Sequence, residues 1–163
     1  MPKVLFYFLT LWMVLWAQIL SNYFGEPVLS INVVLIAVLY VGLSRGPLAG
    51  EALGFLWGLL VDVSFFGLLG LNAFLYAAAG YLAGMLRRQL DETKMWTQAL
   101  FSFAASAAYL FFAYVLDRLF SSGARSLSWG ILAQPVGNAL MAPLLFRAMR
   151  AWSNLWHLSP EEE

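Results

Sequence analysis

The sequence predicts an all-α membrane protein, a compact bundle of six transmembrane helices with both termini in the cytoplasm. Three observations predict it. Of the 163 residues, 62% are hydrophobic and only 11% charged, where an ordinary soluble domain has about a quarter charged. The apolar runs are continuous, do not alternate, and exceed the roughly ten residues of a membrane β-strand. Only a helix or a closed barrel satisfies its own backbone in hydrocarbon, so these runs are helices. The charges fall in the gaps between runs, not along one face of them.

The runs place spans at about 4–21, 28–43, 47–66, 68–86, 95–119 and 129–149, all within one integral membrane domain over residues 1–163. The first, "VLFYFLTLWMVLWAQIL" after Lys3, lacks a small-residue cleavage site and is longer than a signal core, so it reads as a retained span. Gly25 and Pro27 punctuate the first gap, and Gly46 and Pro47 the second. "FFGLLG", with Gly67 and Gly70, makes a tight turn; "RRQLDETK" is the most charged gap and "SSGARS" the last. The second span is short, and either lies obliquely or extends through its turns. Connections this short make successive spans antiparallel neighbours and leave no separate soluble domain.

Positive charge orients the bundle. With the N-terminus in the cytoplasm, that side collects Lys3, Arg45, Arg87, Arg88, Lys94, Arg147 and Arg150, leaving Arg118 and Arg125 opposite. Trp12, Trp16, Trp96, Trp129 and Trp152 suit interfacial anchoring, and the final "SPEEE" reads as a disordered acidic tail. A net charge of zero argues against nucleic acid as a partner. No cysteine is present, and His157 is the single histidine. With no histidine–acid cluster, nucleophile elbow or phosphate loop, neither an enzyme nor a metal or other cofactor is expected.

The third span carries a pattern that needs explaining. Gly46, Gly50, Gly54, Gly58 and Asp62 recur every four residues, a gently winding stripe at about 100° per residue. Small residues at this spacing let another helix approach closely in lipid, and the fourth span offers a matching face in Ala73, Ala77, Gly80 and Gly84. The stripe is longer than one crossing within the chain would be expected to use, so Gly50, Gly54, Gly58 and Asp62 are expected to serve helix packing or partner binding, with a partner's helix on the glycine-lined face or in the crevice beside it. Glu51 lies eleven residues before Asp62, placing both acids on one side. Glu51 suits a helix start near Arg45. Asp62 lies about four turns in, where an acid is either functional, the default inside a span, or satisfied by waters and backbone at the outer turn; Arg118 and Arg125 are candidate charges for it. Asp117 and Arg118 end the fifth span as an expected snorkelling pair.

Asn72 follows the "LLGL" turn and either caps the fourth span or bonds Asp62 across it. Gln134 and Asn138 lie one turn apart on the sixth span, where Pro135 and Pro143 loosen the backbone. Such amides commonly bond neighbouring helices; polar residues around broken helices also build transporter sites.

Residues 54–84, "GFLWGLLVDVSFFGLLGLNAFLYAAAGYLAG", resemble the most characteristic stretch of the MreD family of rod shape-determining membrane proteins. The core motif falls on Gly54, Phe55, Gly58, Leu59, Asp62, Leu69, Gly70, Leu71 and Asn72, and the final-span motif on Asn138 and Pro143 of "NALMAPLLF". The resemblance implies a non-catalytic, multi-pass protein of the bacterial cytoplasmic (inner) membrane. It also implies direct binding to MreC and, through it, a link to MreB, RodA and an elongation transpeptidase, supporting peptidoglycan synthesis. The family is similar to the substrate-binding subunits of energy-coupling-factor vitamin transporters, six-helix bundles as well. That likeness supplies the alternative, a vitamin-type transporter subunit with Asp62, Asn72, Gln134 and Asn138 converging on a pocket.

Overall fold

A computed structural model describes residues 2–25, 31–64, 69–90, 94–120 and 129–155. Pro27, Gly67, Arg125, His157, the "SSGARS" gap and the acidic tail lie outside the described residues. Six α-helices follow in order: α1 (Pro2–Gly25), α2 (Val33–Arg45), α3 (Pro47–Ser64), α4 (Leu71–Met85), α5 (Met95–Phe120) and α6 (Trp129–Leu155). A single 3-10 turn, Leu86–Arg88, follows α4, and no strand occurs among the described residues. Among the described residues, two helices qualify by length and composition as membrane-crossing, α3 and α5.

The second helix departs most from expectation. It starts at Val33, well after residue 28, and every residue from Val33 to Ser44 is buried. At about 1.5 Å per residue it is about 20 Å long, short of the roughly 30 Å hydrocarbon layer. It can be short because its sides face protein: α1, α3, α4, α5 and α6 all pack on it. Val34, Leu35, Ile36, Val38, Leu39 and Leu43 form the core with Trp57 of α3 and Phe146 of α6. Tyr40 meets Phe146 edge to face at 5.4 Å between centroids.

Local chemistry sets both ends of α2. Asn32 caps its start, the side-chain oxygen accepting from the Leu35 N–H at 2.9 Å. Gly46 ends it at φ 96°, a conformation that disfavours any side chain. Pro47 then opens α3, where its missing N–H costs no helical bond.

Long-range contacts gather the cations at one end of the bundle. A side chain at Gly84 would strike Pro47, so the end of α4 lies beside the start of α3. Arg147 of α6 reaches the Met95 sulfur at 3.8 Å, and Arg45 reaches Ser153 at 3.5 Å. Arg45, Arg87, Arg88, Lys94, Arg147 and Arg150 therefore share one end.

The exterior is apolar and the interior carries the polar groups. Leu100, Phe103, Phe111 and Phe112 of α5, Leu140 and Leu144 of α6, and Trp12 and Trp16 of α1 are exposed. Asn32, Asp62, Asn72, Ser102, Ser106 and Asn138 are buried. A soluble domain sorts its residues the other way.

Candidate functional site

The glycine stripe is occupied along its whole length by α4. A methyl group at Gly50 would overlap the Gly80 carbonyl, one at Gly54 the Tyr76 carbonyl, and one at Gly58 the Ala73 backbone. The expectation of a partner's helix on this stripe is therefore corrected. Backbone lies on backbone, so the stripe has no room for another chain. Because α4 follows the four-residue row, its line of contact winds around α3. That winding also separates the two acids. Glu51 and Asp62 project to nearly the same side of α3, but Glu51 is off the contact row at its own level and is exposed, while Asp62 is only 2% exposed.

Asp62 closes the hairpin of α3 and α4. The N-cap of α4 is Gly70, at φ 92°, which has no side chain to cap with. Asp62 supplies the cap from eight residues earlier. Its Oδ2 accepts from the N–H groups of Gly70 at 2.9 Å and Ala73 at 3.2 Å. Its Oδ1 accepts from the Asn72 N–H at 3.1 Å and the Asn72 side-chain amide at 2.8 Å. A carboxylate here answers the unpaired donors and the positive dipole end of α4 together.

From Asn72 a chain of hydrogen bonds and one ring contact crosses the bundle. Tyr109 of α5 donates to Asn72 Oδ1 at 2.6 Å, and its ring lies 5.4 Å from that of Tyr76. The Tyr76 hydroxyl donates to Asn32 Oδ1 at 3.1 Å and accepts from Asn32 Nδ2 at 2.8 Å. The Asn32 N–H donates to Asn138 Oδ1 at 2.8 Å, and Asn138 Nδ2 donates to Ser106 Oγ at 2.7 Å. Five helices are joined by groups that, apart from the half-buried Tyr109, are buried, where an unmade bond is costly. Gln18 extends the joint to α1, donating to the Ile31 carbonyl at 3.1 Å and accepting from the Val34 N–H at 3.3 Å.

The four residues of the expected pocket fare differently. Asp62 and Asn72 meet directly, Asn138 joins them through the two tyrosines and Asn32, and Gln134 is half-buried outside the network. The three that meet spend their polar atoms on one another and on helix ends, not around a vacant volume. α6 runs on through Pro135 and Pro143, each of which lacks the N–H of an intrahelical bond. Arg118 turns to Tyr114, donating to its hydroxyl at 3.2 Å, and is not the partner of Asp62. Asp117, expected to snorkel with it, is buried.

Asn32, Tyr76, Ser106 and Tyr109 escaped the sequence reading. Asn32 carried a usable signal, an asparagine directly before an apolar run, which is a helix-start pattern. The tyrosines had none, since a mid-span tyrosine reads equally as an apolar body.

Inward polar joints under an apolar exterior define a membrane-associated helical bundle whose buried side chains hold helices to one another. The family model for rod shape-determining protein MreD matches residues 1–152, and the chain belongs to that family. No curated protein and no solved structure matches it. Family membership gives the chain a role in rod-shape determination.

Proposed function

We propose that the chain is a non-catalytic, multi-pass subunit of the rod-shape machinery in the bacterial cytoplasmic membrane. It binds MreC and, through MreC, works with MreB, RodA and an elongation transpeptidase in peptidoglycan synthesis. The observation that carries this reading is the family match over residues 1–152. All six helices cross the bilayer, with the cationic end cytoplasmic in keeping with the excess of Lys and Arg there. The buried network favours a joint over a catalytic or transport site, because its polar groups are committed to helix ends and to one another. With the glycine stripe filled by α4, MreC packs against an outward face of the bundle.

Affinity capture from native membranes with mass spectrometry tests the reading. MreC and the elongation synthase should be recovered together. Recovery of transporter ATPases without MreC would replace it with the vitamin-transporter alternative. Gly54→Leu should lose the fold and the complex together, since the stripe is a packing seam.

A further inference from the structure

At the far end of the bundle α4 and α5 pack through Leu71, Leu75 and Ala113. Toward the cationic end, a groove of about 440 Å³ runs beside α5, lined by Leu90, Trp96, Thr97, Leu100, Phe101 and Ala104. Only Thr97 among these is polar. From Trp96 to Ala104 the groove follows α5 for a little over two turns, about 12 Å along the helix axis. Its mouth lies among cations. Arg87 and Arg88 sit on the 3-10 turn before Leu90, Lys94 directly precedes α5, and Arg147 reaches Met95, next to Trp96. Arg87, Arg88, Lys94 and Arg147 bring four positive charges to the mouth. Trp96 is 88% exposed there, the placement of an interfacial anchor.

We propose that this groove binds an anionic phospholipid of the surrounding membrane. One acyl chain lies along Leu100, Phe101 and Ala104, and the phosphate meets Arg88, Lys94 and Arg147. The charge selects the occupant. A transmembrane helix from a partner, or a second copy of this chain, fills an apolar groove but brings no anion to the four cations at its mouth, whereas a phospholipid supplies both acyl chain and anionic headgroup. An anionic headgroup is attracted at that depth, by about 1 kcal/mol per basic residue near the surface. The inference rests on the membrane orientation proposed above, but MreC capture and lipid binding are read separately, so either can fail alone.

The test is thermal unfolding of the full chain in neutral detergent, with phosphatidylglycerol or phosphatidylcholine added. Saturating phosphatidylglycerol should raise the midpoint by about 5 °C or more, as expected for a ligand that binds only the folded state. Phosphatidylcholine should leave the midpoint unchanged. Ala104→Trp places bulk in the groove from an exposed position, and the combined Arg88→Gln, Lys94→Gln and Arg147→Gln variant removes charge without touching the core. Both should keep the lipid-free midpoint and lose the phosphatidylglycerol response. Equal responses to the two lipids would overturn the site. So would either variant folding normally with its response intact, or Ala104→Trp losing MreC capture while the lipid response persists.

Discussion

Two helices that look alike in sequence behave in opposite ways. Both α2 and α5 are continuous apolar runs, yet α2 is buried from Val33 to Ser44, while α5 buries only Gln98, Ser102, Ser106, Ala113 and Asp117. Four of those five are polar, and they follow one seam at spacings of four and seven. Phe103, Phe111 and Phe112 face outward from the same helix. Hydropathy therefore does not decide which residues an apolar solvent leaves inside. Side chains that need a hydrogen-bond partner go in, as do those small enough to let backbones approach. The residues of α2 are buried by position, because five helices surround it.

Putting the same bulk on each helix breaks the comparison most directly. Gly42 of α2 faces α4: a methyl there would lie 2.8 Å from Ala83 Cβ and overlap the Gly80 carbonyl. Gly42→Leu should cost more than about 3 kcal/mol, the upper range for overpacking, because backbone and not a mobile side chain must yield. Ala107→Leu on the exposed face of α5 should stay within about 0.5 kcal/mol. Thermal unfolding and yield in detergent measure both. Similar midpoints for the two variants would mean that α2 is not a packed axis.

The polar joint comes next in size. Asp62→Leu leaves the N–H groups of Gly70, Asn72 and Ala73 without their acceptor, and should cost on the order of 3 kcal/mol. Asp62→Asn keeps one accepting oxygen but loses the second, so about 1 kcal/mol is expected, the scale of a lost helix cap. An Asn variant as damaged as the Leu variant would show that charge, not capping, is what the position supplies. Asn138→Ala removes the acceptor for Asn32 and the donor to Ser106, for about 2 kcal/mol. Combined with Ser106→Ala, the double variant should cost less than the two single losses added, since both remove the same bond between α5 and α6.

Six helices in one bundle were legible because length and continuous hydropathy are local properties. The hairpin of α3 and α4 was legible as well, since glycines at one spacing faced small residues at a matching spacing. What occupied the stripe was not, because close approach is the same signal whether the neighbouring helix belongs to the chain or to a partner. The eleven-residue match of Glu51 and Asp62 put them on one side but not in one environment, for a related reason. Angular position on one helix is local, but the line along which another helix crosses it is not. Asp62 and Asn72 announced a junction through their proximity to one turn. The continuation through Tyr109, Tyr76 and Asn32 to Asn138 depends on how three more helices are brought together, and no short stretch of sequence carries that.

The smallest expected effect is also the sharpest measure of the contrast between the two helices. Ile36, in the first turn of α2, is fully buried, so Ile36→Val removes one methyl from a close-packed site and should cost about 1 kcal/mol. Phe111→Leu removes more volume from α5, but Phe111 is 63% exposed and detergent or lipid chains refill the space. Transfer between two apolar surroundings returns almost nothing, so what Ile36→Val loses is packing contact that fluid chains do not replace. A midpoint drop of about 2–4 °C for Ile36→Val beside no change for Phe111→Leu is the expected result for a chain of this size. If Phe111→Leu costs as much, α5 is pressed against something ordered on its outer face. Repeating the pair in the presence of MreC, the proposed partner, would then show whether that neighbour is an MreC helix.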